Sequence, residues 1–202
     1  MTSIRSASLW PAVVAMTLLA FPAAAHEQIG VAGGLSSGLL HPLTGLDHLV
    51  AMVAVGIWGA QLGNPAIWVL PITFPLVMAV GGVLGVLGVP LPLTEVVVAA
   101  SGIALGGAVA LSLRTPLWLA GLVVGAFAIF HGHAHGMELP HAANPFAYGL
   151  GFVVATGCLH LCGILIGVAL RWPFGARLIR GVGMAIAVVG CFFLYSSLVG
   201  EG

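Results

Sequence analysis

Long apolar stretches, separated by short clusters of proline, glycine and charged residues, dominate the chain after its first 25 residues. Each stretch has about the 20 residues that a helix needs to cross a bilayer. The strict alternation of apolar and polar residues that is typical of membrane barrel strands is missing. The pattern therefore predicts an all-α membrane protein, a six-helix transmembrane bundle over residues 45–63, 66–88, 94–113, 116–133, 145–170 and 177–199.

Residues 1–25 have the three parts of a secretory signal peptide. Arg5 supplies positive charge, residues 9–21 are apolar, and the segment ends in the small residues Ala23–Ala25. We expect cleavage after Ala25, which leaves residues 26–202 as one six-span transmembrane domain. The alternative is an uncleaved first span, although its apolar part is shorter than the roughly 20 residues that a crossing needs.

The composition agrees with a protein that lies almost entirely in the membrane. Hydrophobic residues make up 60% of the chain, charged residues 5%, and the formal net charge is zero, whereas about a quarter of a soluble protein is charged. Membrane lipid is therefore an expected partner, and the lack of a basic patch argues against nucleic acid. The three cysteines lie in apolar runs, which argues against a disulfide scaffold. We expect no bound cofactor.

The arginines predict an orientation. A cleaved signal peptide places the mature N-terminus outside, so the links after the first, third and fifth spans face the cytoplasm. These links hold or border every arginine of the mature chain, as the positive-inside rule requires: Arg114, Arg171, Arg177 and Arg180. The prediction is a multi-pass protein of the bacterial inner membrane with both mature termini in the periplasm.

The first candidate site is the segment from His41 to His48, at the outer end of the first span. Pro42 and Gly45 disfavour regular helix, so we expect His41 on an irregular lead-in. Asp47 and His48 adjoin the apolar run, where ionisable groups are costly and often functional. Imidazole and carboxylate together suit nickel(II), cobalt(II) and zinc(II). The alternative is that Asp47 only caps the start of a helix.

A second candidate site contains His131, His133, His135 and Glu138, at the outer end of the fourth span. On a helix, His131, His135 and Glu138 share one stripe, while His133 points to the other side. Two imidazoles and a carboxylate are a common ligand set for a first-row divalent metal ion. The alternative is a solvated histidine-rich loop, because the intervening glycines weaken a helix.

Two further polar residues stand in apolar surroundings. Glu95 begins the third span at its outer end, either as a residue favoured at a helix start or as a further carboxylate facing the same vestibule. His160 falls near the middle of the bilayer. We expect His160 to be packed and hydrogen-bonded, because it does not share a helical face with the cysteines on either side of it.

At these two motifs the chain resembles the HupE/UreJ family of secondary nickel and cobalt permeases. The resemblance implies that the chain is not an enzyme and transports nickel(II) or cobalt(II), its substrate, for a hydrogenase or urease. It implies metal handling by His41, Asp47, His48, His131, His135 and Glu138, and it fits Glu95 as the family's membrane acid. The runner-up is an intramembrane zinc-dependent hydrolase, although the His-Glu-x-x-His motif is absent. The sequence leaves open whether the chain forms a homo-oligomer.

If these residues form one site, the spans that carry them must be neighbours. Heteroatoms of His48 or Asp47 should then lie within about 8 Å of those of His135 or Glu138, a distance that allows for an empty site whose filled bonds are roughly 2.0–2.2 Å.

Overall fold

The computed structural model describes residues 30–139, 144–169 and 172–200. The expected signal peptide, His26, His141 and Arg171 lie outside these ranges. Within them the chain forms seven α-helices and no strand, so the all-α prediction is confirmed. The helices are α1 (Gly30–Thr44), α2 (Leu46–Leu62), α3 (Ala66–Val86), α4 (Thr94–Ala110), α5 (Leu117–Met137), α6 (Pro145–Ala169) and α7 (Pro173–Gly200).

Four helices, α3, α5, α6 and α7, are long and apolar enough to cross a membrane. Helices α1 and α2 pass the same test only as a pair that is bent by 82°. Helix α4 has 17 residues, which is about 25 Å of helix against a hydrocarbon core of about 30 Å. The described residues therefore support a multi-pass membrane protein with four or five candidate spans, and the expected count of six is not confirmed.

The expected irregular lead-in at His41 is wrong. Helix α1 continues through His41 and Pro42 to Thr44, whose hydroxyl donates a hydrogen bond to the His41 carbonyl at 2.8 Å. The chain leaves the helix only at Gly45, which has extended backbone angles (φ −87°, ψ 105°). The sequence signal of Pro42 was therefore misleading, and the break falls entirely on the glycine.

Helices pack in closely apposed pairs whose contacts are lined by glycine. Helix α3 packs on α5, α4 on α7, and both α1 and α2 on α6. Small residues let helix backbones approach closely, which is the usual basis of helix association in membranes. Helix α2 contacts four other helices besides α1, and most of its residues from Ala51 to Ala60 are buried. The outer faces carry exposed apolar side chains, as lipid contact requires.

Helix α5 runs through the second histidine motif and ends at Met137, so the alternative of a loop is wrong. The glycines of the motif have a packing role. A Cβ at Gly132 or Gly136 would overlap the backbone of α3 at Met78 or Gly82. Because these glycines have no side chain, α5 can lie directly against α3. The histidines on the other faces of α5 are held in a regular helix.

Candidate metal site

The bend at Gly45 brings two chain segments to the end of α5. His41 lies in the last turn of α1, and Asp47 lies in the first turn of α2. Because the chain turns by 82° between them, both segments border the same group of side chains. The elements that form the site are thus a helix end, a helix start and the last turns of α5.

The outer part of the site is a group of three side chains, His41, His135 and Glu138. Nε2 of His41 donates to Oε2 of Glu138 at 2.8 Å, and Nδ1 of His135 lies 3.6 Å from the same oxygen. One potential ligand atom from each residue lies within 4.8 Å of the other two. The imidazoles of His135 and His41 hold the pKa of Glu138 well below its usual range. Glu138 is therefore an ionised carboxylate at neutral pH.

The inner part of the site is formed by imidazole rings. The centroid of the His48 ring lies 4.2 Å from that of His135 and 4.7 Å from that of His131. The predicted proximity of the two motifs is confirmed. Helix α4 packs against both α2 and α5, and these histidine rings bring the side chains of α2 and α5 together.

Hydrogen bonding fixes which nitrogen of His48 carries a proton. Nδ1 of His48 lies 2.9 Å from Oδ1 of Asp47. A carboxylate can only accept, so Nδ1–H donates and Nε2 of the neutral ring keeps its lone pair. Nε2 is buried and has no hydrogen-bond partner among the described residues. A carboxylate that orients an imidazole in this way is the usual outer partner of a metal-binding histidine.

His131 is held in the opposite tautomer. Its Nε2 lies 2.8 Å from Oγ of Ser101, and that hydroxyl donates its hydrogen to the Val98 carbonyl at 2.6 Å. The hydroxyl can therefore only accept from His131, which places the proton on Nε2 and the lone pair on Nδ1. Nδ1 is buried without a partner in the described part of the chain. His131 is completely inaccessible to solvent.

Neither ring nitrogen of His135 has a hydrogen-bond partner within the described ranges. Its ring packs on Phe152 at 4.2 Å between centroids, and on His41 at 4.9 Å. Three adjacent imidazoles, those of His48, His131 and His135, thus each present a buried nitrogen lone pair that no donor in the described part of the chain satisfies. Buried polar atoms normally have partners, so this arrangement suits an electrophilic guest such as a divalent cation.

Glu95 lies beside Asp47 and outside the group around Glu138. The two carboxylates line a cavity of about 270 Å³, together with Ala99 and with Phe193, Ser196 and Ser197 of α7. Glu95 therefore places a second carboxylate at the cavity that Asp47, the partner of His48, also lines.

Two other histidines are positioned by different contacts. His133 donates from Nε2 to the Val89 carbonyl at 2.8 Å, and its Nδ1 lies 3.3 Å from the Thr94 hydroxyl. It binds the segment between α3 and α4, so the prediction that it faces away from the stripe is confirmed. His160 donates from Nδ1 to the Met52 carbonyl at 2.8 Å and is buried. The prediction of a packed, hydrogen-bonded His160 is also confirmed.

Comparison with known proteins identifies the family of the chain. The family model described as HupE / UreJ protein matches residues 14–193. The chain belongs to the HupE/UreJ family. One curated relative, Protein HupE of Rhizobium leguminosarum bv. viciae, is 43% identical over 180 residues, which cover 89% of this chain and 94% of the relative. HupE/UreJ proteins form a transporter family of the nickel/cobalt permease type. No solved structure matches the chain.

In this HupE/UreJ protein the predicted site residues form a continuous series of contacts. The series runs from Glu138 through His41 and His135 to His48, which contacts both Asp47 and His131. Glu95 shares a cavity with Asp47.

The sequence did not lead us to Ser101 or to the aromatic residues beside the histidines. Ser101 is the one polar side chain between residues 96 and 111 of an otherwise apolar span, and a lone hydroxyl there could have been recognised as an imidazole partner. Tyr148 and Phe152 lie four residues apart on α6 and both contact His41. Their spacing gave no signal, because aromatic residues are common on any membrane helix.

Proposed function

We propose that this HupE/UreJ protein is a secondary transporter that carries nickel(II), or alternatively cobalt(II), across the bacterial inner membrane. The observation that carries the proposal is the series of imidazoles next to an ionised carboxylate, with buried nitrogens that have no hydrogen-bond partner among the residues that the structure describes. Nickel(II) and cobalt(II) both accept imidazole and carboxylate ligands. The chain contains no nucleotide-binding loop, so we expect an ion gradient or diffusion to drive transport.

The proposed route begins where the polar side chains reach solvent. The side chains of His41 and Glu138 are 28% and 52% exposed, so a hydrated ion can exchange water there for imidazole and carboxylate. The ion would then pass to His135 and His48, whose rings are adjacent, and onward to His131. Mixed nitrogen and oxygen ligands bind a divalent ion more weakly than a thiolate cage, and a transport site must release what it binds.

In this proposal the ligands differ in their tasks. His41, His48, His131, His135 and Glu138 supply ligand atoms. Asp47 orients His48 through the 2.9 Å hydrogen bond and also offers its second oxygen. Glu95, beside Asp47, supplies negative charge that offsets the charge of the ion at membrane depth.

We further propose six crossings after a cleaved signal peptide. Helices α1 and α2 would form one broken crossing and α4 a short one. Support for the orientation comes from Arg114 and Arg180, which donate to the carbonyls of Gln61 and Ala110 near the C-terminal ends of α2 and α4. These ends lie away from His48 at the start of α2, as cytoplasmic arginines opposite a periplasmic entrance require. Both mature termini would then be periplasmic, and the metal would supply a hydrogenase or urease.

The test is nickel uptake by cells that lack their own nickel transporters. We expect expression of the chain to raise uptake, and His48→Ala to abolish the increase. His133→Gln is the matched control, because His133 makes both of its polar contacts outside the series. Normal uptake by His48→Ala at normal protein level would contradict the proposed site. Stoichiometric zinc that resists dialysis would instead favour the alternative of an intramembrane hydrolase.

A further inference from the structure

One face of α6 continues inward from the candidate metal site. Tyr148, Phe152, Thr156 and His160 are spaced by four residues and therefore lie along one side of the helix. The first two contact His41, and Phe152 also packs on the ring of His135. His160 lies eight residues beyond Phe152, about 12 Å further along the helix. The face that borders the site thus extends to two polar residues deep in the protein.

His160 has the same hydrogen-bonding pattern as His48. Its Nδ1 lies 2.8 Å from the Met52 carbonyl, and a carbonyl can only accept, so Nδ1 carries the proton and Nε2 the lone pair. The residue is 1% exposed, and Nε2 has no hydrogen-bond partner within the described part of the chain. His133 differs, because each of its ring nitrogens lies within hydrogen-bonding distance of a polar atom. The pattern at His160 is instead the one that an outer hydrogen bond imposes on a metal ligand.

Two neighbours connect His160 with the site. The buried ring of Phe74 lies 5.4 Å from the ring of His131 and 5.2 Å from that of His160, edge to face in both cases. The ring of Phe74 therefore contacts both His131, the innermost imidazole of the candidate metal site, and His160. Thr156, one turn before His160 on α6, is completely buried, and its hydroxyl has no hydrogen-bond partner among the described residues.

We propose that Nε2 of His160, together with the hydroxyl of Thr156 one turn earlier on α6, is an inner binding station for the transported divalent cation, reached past Phe74. This inference rests on the proposed transport function and extends it by a site that is separate from the two histidine motifs. The imidazole supplies a nitrogen ligand, and the hydroxyl supplies a neutral oxygen for the ion or for a water that stays bound to it.

The experiment compares His160→Asn with the unmodified protein, purified and reconstituted in liposomes. Asparagine keeps an N–H donor near the Met52 carbonyl but has no atom at the position of Nε2. We expect nickel binding at the outer site, measured by equilibrium dialysis, to be unchanged. Nickel entry into liposomes, followed with a trapped metal-sensitive dye, should fall by at least about tenfold, the smallest loss usual for a residue that supports a metal site. His133→Gln is the control and should transport normally.

The outcomes separate the two proposals. If the unmodified protein moves no nickel into liposomes, the transport function fails. If it does and His160→Asn transports at the same rate, the inner station is overturned. If size-exclusion chromatography shows that His160→Asn does not fold, Thr156→Val decides, because that substitution preserves shape and removes no hydrogen bond. Slower entry in a stably folded Thr156→Val supports the station, and an unchanged rate overturns it.

Discussion

Substitution of Ser101 by alanine tests the hydrogen bond that orients the innermost imidazole of the outer site. The serine hydroxyl is the acceptor that holds the proton of His131 on Nε2. In Ser101→Ala the buried Nε2–H of His131 loses this acceptor, and Nδ1 of the same ring already has no hydrogen-bond partner among the described residues. An unsatisfied buried group costs about 1–3 kcal/mol, so the free energy of unfolding should fall by about that amount. The hydrogen bond that holds the proton on Nε2 is then missing, so either ring nitrogen of His131 can carry the proton. The affinity for nickel should therefore fall about 10–100-fold.

The assay for Ser101→Ala combines nickel binding to the purified protein with thermal unfolding in detergent. Ser36→Ala is the matched control, because the Ser36 hydroxyl also donates to a carbonyl three residues back, that of Gly33, and Ser36 is not one of the residues in the series of contacts. We expect the control to keep its nickel affinity and stability. Unchanged affinity and an unchanged unfolding temperature in Ser101→Ala would refute the assignment of the His131 tautomer and its role.

Two further predictions rest on packing and on charge. Gly132→Ala should lower the free energy of unfolding by about 1–3 kcal/mol, because the added Cβ would overlap the backbone of α3. Gly121→Ala on the same helix is the control and should leave the free energy of unfolding unchanged, since a Cβ there meets no atom within 4 Å. Thermal unfolding of both variants measures the difference. Asp47→Asn should reduce nickel uptake about 10–100-fold, because the amide loses the charge that orients His48, and normal uptake at an equal protein level would contradict that role.

The sequence alone determined the helical class and the arrangement of side chains within single helices. Apolar stretches of about 20 residues require helices, because a bilayer leaves no other partner for the backbone hydrogen bonds. The period of one helix places His131 and His135 on one stripe and His133 off it, as observed. These properties are local, so they could be predicted without knowledge of the neighbouring helices.

Only the tertiary structure decided which helices meet and how each imidazole is protonated. The bend falls at Gly45 and leaves His41 in a regular helix, because a proline in an otherwise helical stretch does not by itself specify a break. The pairing of α3 with α5 depends on backbone contacts between their glycines, which no periodicity along one helix encodes. The partners that set the tautomers, Ser101 for His131 and the Met52 carbonyl for His160, come from distant parts of the chain. The hydrogen-bond partner of one ring nitrogen determines which nitrogen carries the proton and which keeps its lone pair. That partner is known only when the helices are packed.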